Sequence, residues 1–260
     1  MDREGAVKRG SFSGQIRAMF DDIAPTYDLL NRVNSLGLDQ GWRADLVHHV
    51  AEERPQLILD LAAGTGDLSI MLSEKCPDAT IVAGDLSEEM LQLGAKKVSQ
   101  QGIDGIQFSI EDAMQLSFED GTFDAVTCAF GVRNFESILR GYEEFFRVLK
   151  PGGMAAVLEL CEPTNPLLKL GYDLYVKRII PKVSKWVSGQ EAAYDYLGES
   201  IRKVPQRRQM QRLMDMAGFI NTYYKVYAPG VCGLYVGFKP KSQLIEQQRQ
   251  RLYELNQGLR

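Results

Sequence analysis

From Pro55 onward, the sequence alternates short, unbroken apolar runs with stretches of helical periodicity. Helical stretches separate most of these runs, which cover residues 57–62, 80–83, 106–110, 124–130 and 154–160. A strand without polar alternation is buried on both faces, and strands that alternate with helices are typical of a parallel sheet covered on both sides. Two further β-rich runs, 219–227 and 231–238, flank Pro229-Gly230 and predict a hairpin. The pattern therefore predicts a Rossmann-like α/β fold with a mostly parallel sheet.

The remaining segments frame this sheet. Over residues 1–54 we expect an N-terminal arm and a helical lid, because apolar residues recur there at helical spacing. The α/β domain is predicted over residues 55–240, and residues 241–260 form a polar C-terminal tail. Within the domain, residues from about 163 to 205 predict a helical insertion, because they carry helical periodicity without a strand.

Composition narrows the classes of function. The 260-residue chain has a formal net charge of −4, which argues against a broad nucleic-acid-binding face. Its four cysteines lie far apart and its two histidines are adjacent, so we expect neither a disulfide framework nor a metal site. No apolar stretch approaches the ~20 residues that a spanning helix needs, and the first residues lack the apolar run of a secretory signal. We expect a cytoplasmic protein whose contact with a membrane is at most peripheral.

A glycine-flanked loop follows the first apolar run. The loop is Gly64-Thr65-Gly66, which connects the end of a predicted strand to the start of a predicted helix. Glycines allow a ligand to approach the backbone, and a helix N-terminus presents unpaired N–H groups to a carboxylate or a phosphate. The dinucleotide-binding fingerprint requires a third glycine or alanine where this chain has Ser69. The loop alone fits both a ligand-binding turn and an ordinary tight turn.

Acidic residues end the next two predicted strands. Asp85 ends the second strand, 19 residues after Gly66, where a carboxylate can accept hydrogen bonds from ribose hydroxyls. Glu111-Asp112 ends the third strand, where a carboxylate can accept a hydrogen bond from the exocyclic amine of adenine. Because the carboxyl ends of parallel strands share one edge, these loops predict a nucleoside-binding site. The alternative for Asp85 is a cap of the helix that follows.

Longer motifs extend this pattern and resemble class I S-adenosylmethionine-dependent methyltransferases. They comprise residues 60–67, Asp85, residues 118–124 and residues 147–153. A second set is similar to the ubiquinone/menaquinone biosynthesis C-methyltransferase family, and the resemblance covers roughly residues 16–238. That set comprises Met19-Phe20-Asp21, Tyr27-Asp28, Asn31, Ser35 and Trp42-Arg43, then Phe130-Gly131-Val132-Arg133-Asn134, and finally Tyr194, Leu197, Ser200, Ile201, Met214 and Ala217-Gly218-Phe219.

The resemblance implies a seven-stranded methyltransferase sheet and S-adenosylmethionine as the methyl donor. The residues that it assigns to the donor site are Asp60, Gly64, Thr65, Gly66, Asp85, Asp112 and Ala113. Two positions depart from the family pattern. Asp39 stands where members often have a histidine, and Ala129 stands where members have a serine that contacts the donor. Ala129 is therefore left out of the donor set.

The resemblance also implies C-methylation of a prenylated quinol, either a naphthoquinol, a benzoquinol or both. Arg133 is the candidate for stabilising the oxyanion that forms when a quinol hydroxyl loses its proton, because its guanidinium stays charged. A water held by Arg133 or the carboxylate of Glu159 is the candidate proton acceptor, and Tyr27 is the candidate lid residue. The structural alternatives are a surface salt bridge for Arg133, a capping or structural carboxylate for Glu159 and a core position for Tyr27.

The insertion carries a basic amphipathic pattern. Its apolar residues recur at three- and four-residue spacing, namely Leu168, Tyr172, Tyr175, Ile179, Val183 and Trp186. Basic residues lie between them, namely Lys169, Lys177, Arg178, Lys182 and Lys185. Such a stretch favours peripheral contact with an anionic membrane. The alternative is an amphipathic helix that covers the domain core.

Other classes of function share the nucleoside-binding pattern. A donor-binding subunit or regulator without catalysis would keep the loop, and the intact Arg133-Asn134 disfavours it. A dinucleotide oxidoreductase is disfavoured by Ser69 at the third glycine position. A methyltransferase for another small aromatic substrate is a further alternative. The sequence leaves the oligomeric state open, with a homo-oligomer among the alternatives.

Overall fold

The computed structural model describes residues 11–179 and 192–241. The helices are α1 Phe12–Ile23, α2 Tyr27–Ser35, α3 Leu38–Glu52, α4 Asp67–Lys75, α5 Glu88–Gln101, α6 Ile138–Val148, α7 Pro166–Leu174, α8 Ala192–Lys203 and α9 Arg208–Met216. The strands are β1 Leu57–Leu61, β2 Thr80–Asp85, β3 Ile106–Ile110, β4 Phe123–Ala129, β5 Leu149–Leu160, β6 Ile220–Tyr227 and β7 Cys232–Phe238. Short 3-10 turns cover Ala24–Thr26 and Val132–Asn134, and a π-helical turn, Tyr175–Ile179, continues α7.

The seven strands of the described residues form one sheet in the order β3-β2-β1-β4-β5-β7-β6. Strands β1 to β5 pair in parallel, and β7 runs antiparallel to both β5 and β6. The chain order reverses between β1 and β4, and at such a switch point the strand ends open a crevice at the carboxyl edge of the sheet. The predicted Rossmann-like sheet and its C-terminal hairpin are confirmed.

Burial on both faces explains the unbroken apolar runs. Successive side chains of a strand point to opposite faces, so neighbouring residues of β1 enter different core clusters. Leu59 and Val126 belong to the cluster that contains Phe145 of α6. Ile58 belongs to the cluster on the other face, together with Leu46 of α3. The central strands are therefore apolar at most positions, and the buried polar residues Asp60 of β1 and Thr127 of β4 are hydrogen-bonded to each other.

Strand β5 is longer than the sequence predicts. The run was expected to begin at Met154, after the punctuation of Pro151-Gly152-Gly153, yet β5 begins at Leu149. Leu149 pairs with Phe123 of β4, and the register shifts before Met154 pairs with Ala125. A β-bulge absorbs the proline and the two glycines, so these residues do not end the strand.

The N-terminal helices divide between the lid and the core. Helices α1 and α2 pack on α5 through a small cluster that contains Ile23, Leu30 and Met90. Helix α3 instead packs into the main core through Leu46 and Val50. The first ten residues of the arm and all of the tail except Lys241 lie outside the described residues, so the segment boundaries stay predictions. Among the described helices, none has the length and apolarity to cross a bilayer.

Candidate active site

The loop after β1 takes a conformation that its glycines permit. Ala62, Gly64 and Gly66 all have positive φ angles, of 55°, 55° and 80°. Beneath the loop, the buried carboxylate of Asp60 accepts hydrogen bonds from the hydroxyls of Ser69, at 2.6 Å, and Thr127, at 2.9 Å. Burial raises the pKa of Asp60 to about 6. Asp60 therefore ties β1 to α4 and β4 and holds the loop from below.

Asp85 links this loop to the end of β2. One carboxylate oxygen accepts the N–H of Gly64 at 2.8 Å, and the other accepts the N–H of Ser87 at 2.9 Å. A carboxylate offers about four lone-pair sites, so acceptor capacity remains for a pair of hydroxyls. The expected helix cap is a different residue, because the hydroxyl of Ser87 accepts the Met90 N–H at 3.1 Å.

Glu111 and Asp112, the two acidic residues that follow β3, have different hydrogen-bond partners. Glu111 is buried and accepts hydrogen bonds from the hydroxyls of Ser109, at 2.8 Å, and Ser117, at 2.7 Å. Asp112 accepts the N–H of Met114 at 2.8 Å. Glu111, Asp112 and Ala113 line one narrow cavity together with Gly64 and Asp85.

This cavity, which we call the loop cavity, has a volume of about 80 Å³. Ligand sites span about 300–1,000 Å³, so the loop cavity is closed down in this conformation. Its cover comes from the lid helices, whose contributing residues are Ser13, Ile16, Phe20 and Tyr27. A nucleoside ligand therefore requires the lid to move.

Charged contacts latch the lid to the loop. Asp28 of α2 accepts hydrogen bonds from the Thr65 hydroxyl at 2.5 Å and from the Lys97 ammonium at 2.7 Å. Lys97 also pairs with Asp67, the first residue of α4, at 2.6 Å. In α1, Asp21 accepts a hydrogen bond from the Ser87 hydroxyl at 2.5 Å. We call Asp21, Asp28, Thr65, Asp67, Ser87 and Lys97 the lid latch.

A second cavity, of about 390 Å³, lies between α2, α3 and the insertion. We call it the apolar cavity, because aliphatic and aromatic side chains form most of its wall. Its polar residues are Asn31, Ser35, Asp39, Arg43 and Arg133. Asp39 is buried, pairs with Arg43 and accepts the hydroxyl of Ser35 at 2.6 Å.

Arg133 and Glu159 form a buried ion pair beside this cavity. Their side chains are 7% and 1% exposed, and a guanidinium nitrogen lies 2.9 Å from the carboxylate. Glu159 also accepts the backbone N–H groups of Arg133, at 3.0 Å, and Leu160, at 2.8 Å. Burial alone would lower the pKa of Arg133, but the charge and hydrogen bond of Glu159, together with Tyr27 and Tyr196, raise the pKa by more, so the net shift is upward. The guanidinium therefore remains a cation.

Within the described part of the chain, not every N–H group of the Arg133 guanidinium has a hydrogen-bond partner. It also donates to the carbonyl oxygen of Phe130. Its Nε–H is buried and has no hydrogen-bond partner among the described residues. An unpartnered buried donor costs about 1–3 kcal/mol, so this Nε–H lowers stability unless another group accepts its hydrogen bond.

Phe130 separates the two cavities. It lines both of them and has a positive φ of 61°. The Arg43 guanidinium lies 5.1 Å from the centre of its ring, and Trp42 meets the ring edge-on. The next residue, Gly131, lies against Ala62, so the ends of β1 and β4 approach closely. A single side chain, that of Phe130, therefore lies between the two cavities.

Tyr27 lies at the inner face of the lid, on the wall of the loop cavity. Loss of solvent raises its pKa, although the nearby Arg133 cation opposes the shift. Tyr27 is therefore a neutral hydrogen-bond donor at neutral pH. The residue lies in the cavity cover, as the lid hypothesis requires.

The structure brings most of the predicted donor residues to one edge. Gly64, Asp85, Asp112 and Ala113 line the loop cavity. Asp60 and Thr65 lie beneath the loop and line a smaller neighbouring cavity. Gly66 immediately precedes α4 at its N-terminus.

Other lining residues were not assigned from the sequence. Asn134 accepts a hydrogen bond from the Tyr196 hydroxyl at 3.1 Å and lines the loop cavity. Its place next to Arg133 in the motif was a usable signal. Glu111 was named together with Asp112 as a carboxylate at the end of the third predicted strand, whereas the backbone conformation of Phe130 left no mark in the sequence.

Comparison with known proteins decides the family. A model of the ubiE/COQ5 methyltransferase family matches residues 8–239. The chain belongs to this family. The resemblance drawn from the motifs is confirmed.

Individual members of the ubiE/COQ5 methyltransferase family align over most of the chain. The demethylmenaquinone methyltransferase of Bacteroides fragilis is 39% identical over 231 residues, covering 88% of this chain and 94% of that protein. The ubiquinone/menaquinone biosynthesis C-methyltransferase UbiE of Hydrogenovibrio crunogenus is 36% identical and covers 86% and 89%. A solved SAM dependent methyltransferase from Aquifex aeolicus has a TM-score of 0.53 at 18% identity, covering 74% and 88%, and this likeness shows the fold alone.

The close approach of Gly131 gives a first prediction. A Cβ at this position would lie 2.4 Å from the Cβ of Ala62 and 2.7 Å from the Sγ of Cys128. Gly131→Ala should therefore lower the free energy of unfolding by about 1–3 kcal/mol in urea denaturation. The control is Gly41→Ala in α3, where a Cβ meets nothing within 4 Å. That helical substitution should raise stability by up to about 1 kcal/mol. Equal unfolding midpoints for the two variants would contradict the prediction.

The lid latch gives a second prediction, measurable without any ligand. Asp28→Ala removes two charge-assisted contacts, so amide exchange in α1 and α2 should quicken roughly 5- to 30-fold, the factor for about 1–2 kcal/mol. Exchange in α6 should not change, because α6 lies on the other side of the sheet. The control is Asp22→Ala, at an exposed position of α1. Unchanged protection of α1 and α2 in Asp28→Ala would exclude the latch.

Proposed function

We propose that the protein transfers a methyl group from S-adenosylmethionine to a ring carbon of a prenylated quinol, with demethylmenaquinol as the substrate. The observation that carries the proposal is the buried ion pair of Arg133 and Glu159, because Arg133 lines the apolar cavity and Phe130 lines both this cavity and the loop cavity. A cation at this position would face a substrate oxygen that becomes negatively charged. The names of the Bacteroides fragilis and Hydrogenovibrio crunogenus relatives support a quinone C-methylation.

The loop cavity fits the methyl donor in its chemistry. Asp85 keeps acceptor capacity for the ribose hydroxyls after it has accepted the Gly64 and Ser87 N–H groups. Asp112 accepts one backbone N–H and can accept a second hydrogen bond from the adenine amine. Asp60 and Thr65 hold the loop and the latch in place around the bound donor. When bound, the donor supplies an electrophilic methyl group on a sulfonium.

The apolar cavity fits a prenylated ring. Its volume of about 390 Å³ lies within the range of small-molecule sites. Its polar end, formed by Ser35, Asp39, Arg43 and Arg133, suits the ring hydroxyls. Its aliphatic wall, which includes Leu167 and Val176, suits an isoprenoid chain.

Arg133 acts on the charge that develops during methyl transfer. The quinol hydroxyl loses its proton to a water held at Arg133, and the guanidinium stabilises the phenolate oxygen. With the donor bound, the neighbouring ring carbon would bond to the methyl carbon as the carbon–sulfur bond breaks and its electron pair stays on sulfur. The same ring carbon would then lose its hydrogen as a proton to solvent water, which restores the aromatic ring as a phenolate. The phenolate oxygen would recover a proton from the water held at Arg133.

Glu159 and Tyr27 take supporting roles in this proposal. Glu159 accepts three N–H donors and is paired with Arg133, so it acts as a positioning residue that fixes the guanidinium. These contacts favour positioning over the proton transfer expected from the sequence. Tyr27 closes the lid, and its raised pKa keeps its hydroxyl protonated.

Contact with a membrane belongs to the proposal, because a prenylated substrate partitions into lipid. Of the basic residues expected to make this contact, Lys169 pairs with Glu162 at 2.8 Å and Arg178 is exposed. Lys182 and Lys185 lie outside the described residues. A homo-oligomer and activity on a benzoquinol stay predictions, to be tested by sedimentation and by parallel assays on both ring types.

The donor assignment predicts a binding defect. Asp85→Ala removes charge-assisted hydrogen bonds worth about 1.5–3 kcal/mol, so S-adenosylhomocysteine should bind roughly 10- to 150-fold more weakly in calorimetry. Asp78→Ala, at an exposed turn, is the control. Because Asp85 also holds Gly64, the melting temperature of the variant is measured alongside. Unchanged affinity in a folded Asp85→Ala protein would remove Asp85 from the donor site.

The role of Arg133 predicts a loss of turnover with donor binding retained. Loss of one preorganised donor lowers the rate on the order of 10²–10³, so Arg133→Ala should reduce kcat more than it raises KM. Arg133→Lys keeps the charge without the planar fork and should recover part of the rate. The control is Arg208→Ala, at an exposed position of α9.

Stability needs a separate variant in this experiment. Arg133→Ala alone leaves the Glu159 carboxylate buried without its cation, which destabilises proteins by about 3–5 kcal/mol. The double variant Arg133→Ala with Glu159→Gln relieves that charge and should fold with the same loss of kcat. Near-normal turnover in the double variant, or a loss of S-adenosylhomocysteine binding with kcat preserved, would overturn the role.

A further inference from the structure

The insertion presents leucines to solvent on a helix that is apolar on two faces. On α7, Leu167, Leu170 and Leu174 are 78%, 69% and 53% exposed. Their spacing of three and four residues places them on one helical face. Leu168 and Tyr172 lie on the other face and line the apolar cavity. A helix that is apolar around most of its circumference is normally buried on all of those sides.

The amphipathic pattern in the sequence left two alternatives open, contact with a membrane or cover of the domain core. Leu168, Tyr172 and Tyr175 of that pattern line the apolar cavity. Ile179 lies in the π-helical turn, and Val183 and Trp186 fall outside the described residues. The outward apolar face belongs to a different set of leucines.

The exposed leucines continue onto the turn between α2 and α3. Leu36 and Leu38 are exposed, and both line the apolar cavity together with Leu167 and Leu168. Leu36 also has a positive φ of 54°, a conformation that leucine rarely adopts. We call Leu36, Leu38, Leu167, Leu168, Leu170 and Leu174 the leucine rim. The first four line the apolar cavity, and Leu170 and Leu174 share the exposed face of α7 with Leu167.

Basic residues border the leucine rim. Arg32 is exposed and lies four residues before Leu36 on α2. Arg178 is exposed and lies four residues after Leu174, about one helical turn away. Exposed apolar patches of this kind mark interaction sites, and cations at their border suit anionic lipid headgroups.

We propose that the leucine rim inserts into the interface of an anionic lipid bilayer and opens the apolar cavity directly to the acyl phase. The proposal rests on the proposed function, because a prenylated substrate is what would cross the rim. The continuity of the rim with the cavity wall selects a bilayer as the occupant. A prenyl chain then passes from the acyl phase into the cavity without crossing water, and the ring hydroxyls enter first towards Arg133.

The test measures binding to vesicles of phosphatidylglycerol and phosphatidylcholine by sedimentation of the full chain. The variant is Leu170→Ser with Leu174→Ser, since neither residue lines the apolar cavity. Its partition coefficient should fall roughly 10- to 100-fold, because two leucines no longer transfer from water into an apolar phase. The matched control is Met216→Ser, at a 67% exposed position of α9, which should bind like the parent.

Activity separates this inference from the proposed function. Turnover of a demethylated quinol with one prenyl unit, dissolved in buffer, should be the same in the parent and the double variant. Turnover of a long-chain quinol held in vesicles should fall with vesicle binding. If the parent protein does not methylate the short-chain quinol, the proposed function is refuted. The vesicle-binding measurement would still test whether the leucine rim binds a bilayer.

Three outcomes would overturn the inference. The first is equal vesicle sedimentation of the parent and the double variant. The second is a change from dimer to monomer on substitution, measured by analytical ultracentrifugation, which would assign the rim to a second copy of the chain. The third is a melting temperature far below that of Met216→Ser, which would show that the leucines pack within the protein.

Discussion

The buried ion pair of Arg133 and Glu159 is the contact on which the geometry of the site depends. Arg133 follows β4 and Glu159 lies near the end of β5, and both charges are removed from water. Each charge is stabilised by the other, and Glu159 also by the backbone N–H groups that it accepts. The carboxylate holds both the side chain and the backbone of Arg133, so it fixes the 3-10 turn that begins after Gly131. That turn in turn sets Phe130 between the two cavities. A change at Glu159 would therefore move the cavity wall as well as the cation.

The central fold could be predicted because its signals are local. Unbroken apolar runs arise where a strand is covered on both faces, and Ile58 and Leu59 enter opposite clusters as that rule requires. The carboxyl ends of parallel strands lie at one edge of the sheet, so the sequence alone predicted that Asp85 and Asp112 lie close together. The Gly-Val-Arg-Asn motif after β4 likewise marked the position of the ion pair. Local patterning and motif spacing were sufficient for these features.

Other parts of the site depend on contacts that no local pattern encodes. The latch joins Asp28 to Lys97, residues 69 positions apart, and although Asp28 lies in a family motif, nothing in the sequence marks Lys97 as its partner. The two apolar faces of α7 illustrate a second limit. Leu168, Tyr172 and Tyr175 satisfy helical spacing, and so do Leu167, Leu170 and Leu174. Helical periodicity shows which residues share a face of α7 but not what that face contacts. The sequence alone therefore could not distinguish the face that lines the cavity from the face that is exposed to solvent.

Phe130 has a consequence for the order of events in the catalytic cycle. Its ring divides a chamber closed by the N-terminal helices from one that opens between α2, α3 and α7. Under the proposed assignment, the donor would occupy the first chamber and the quinol the second, so each reactant would enter from its own side of Phe130. Access would then impose no compulsory binding order. The proposed assignment therefore predicts steady-state kinetics of a random sequential type.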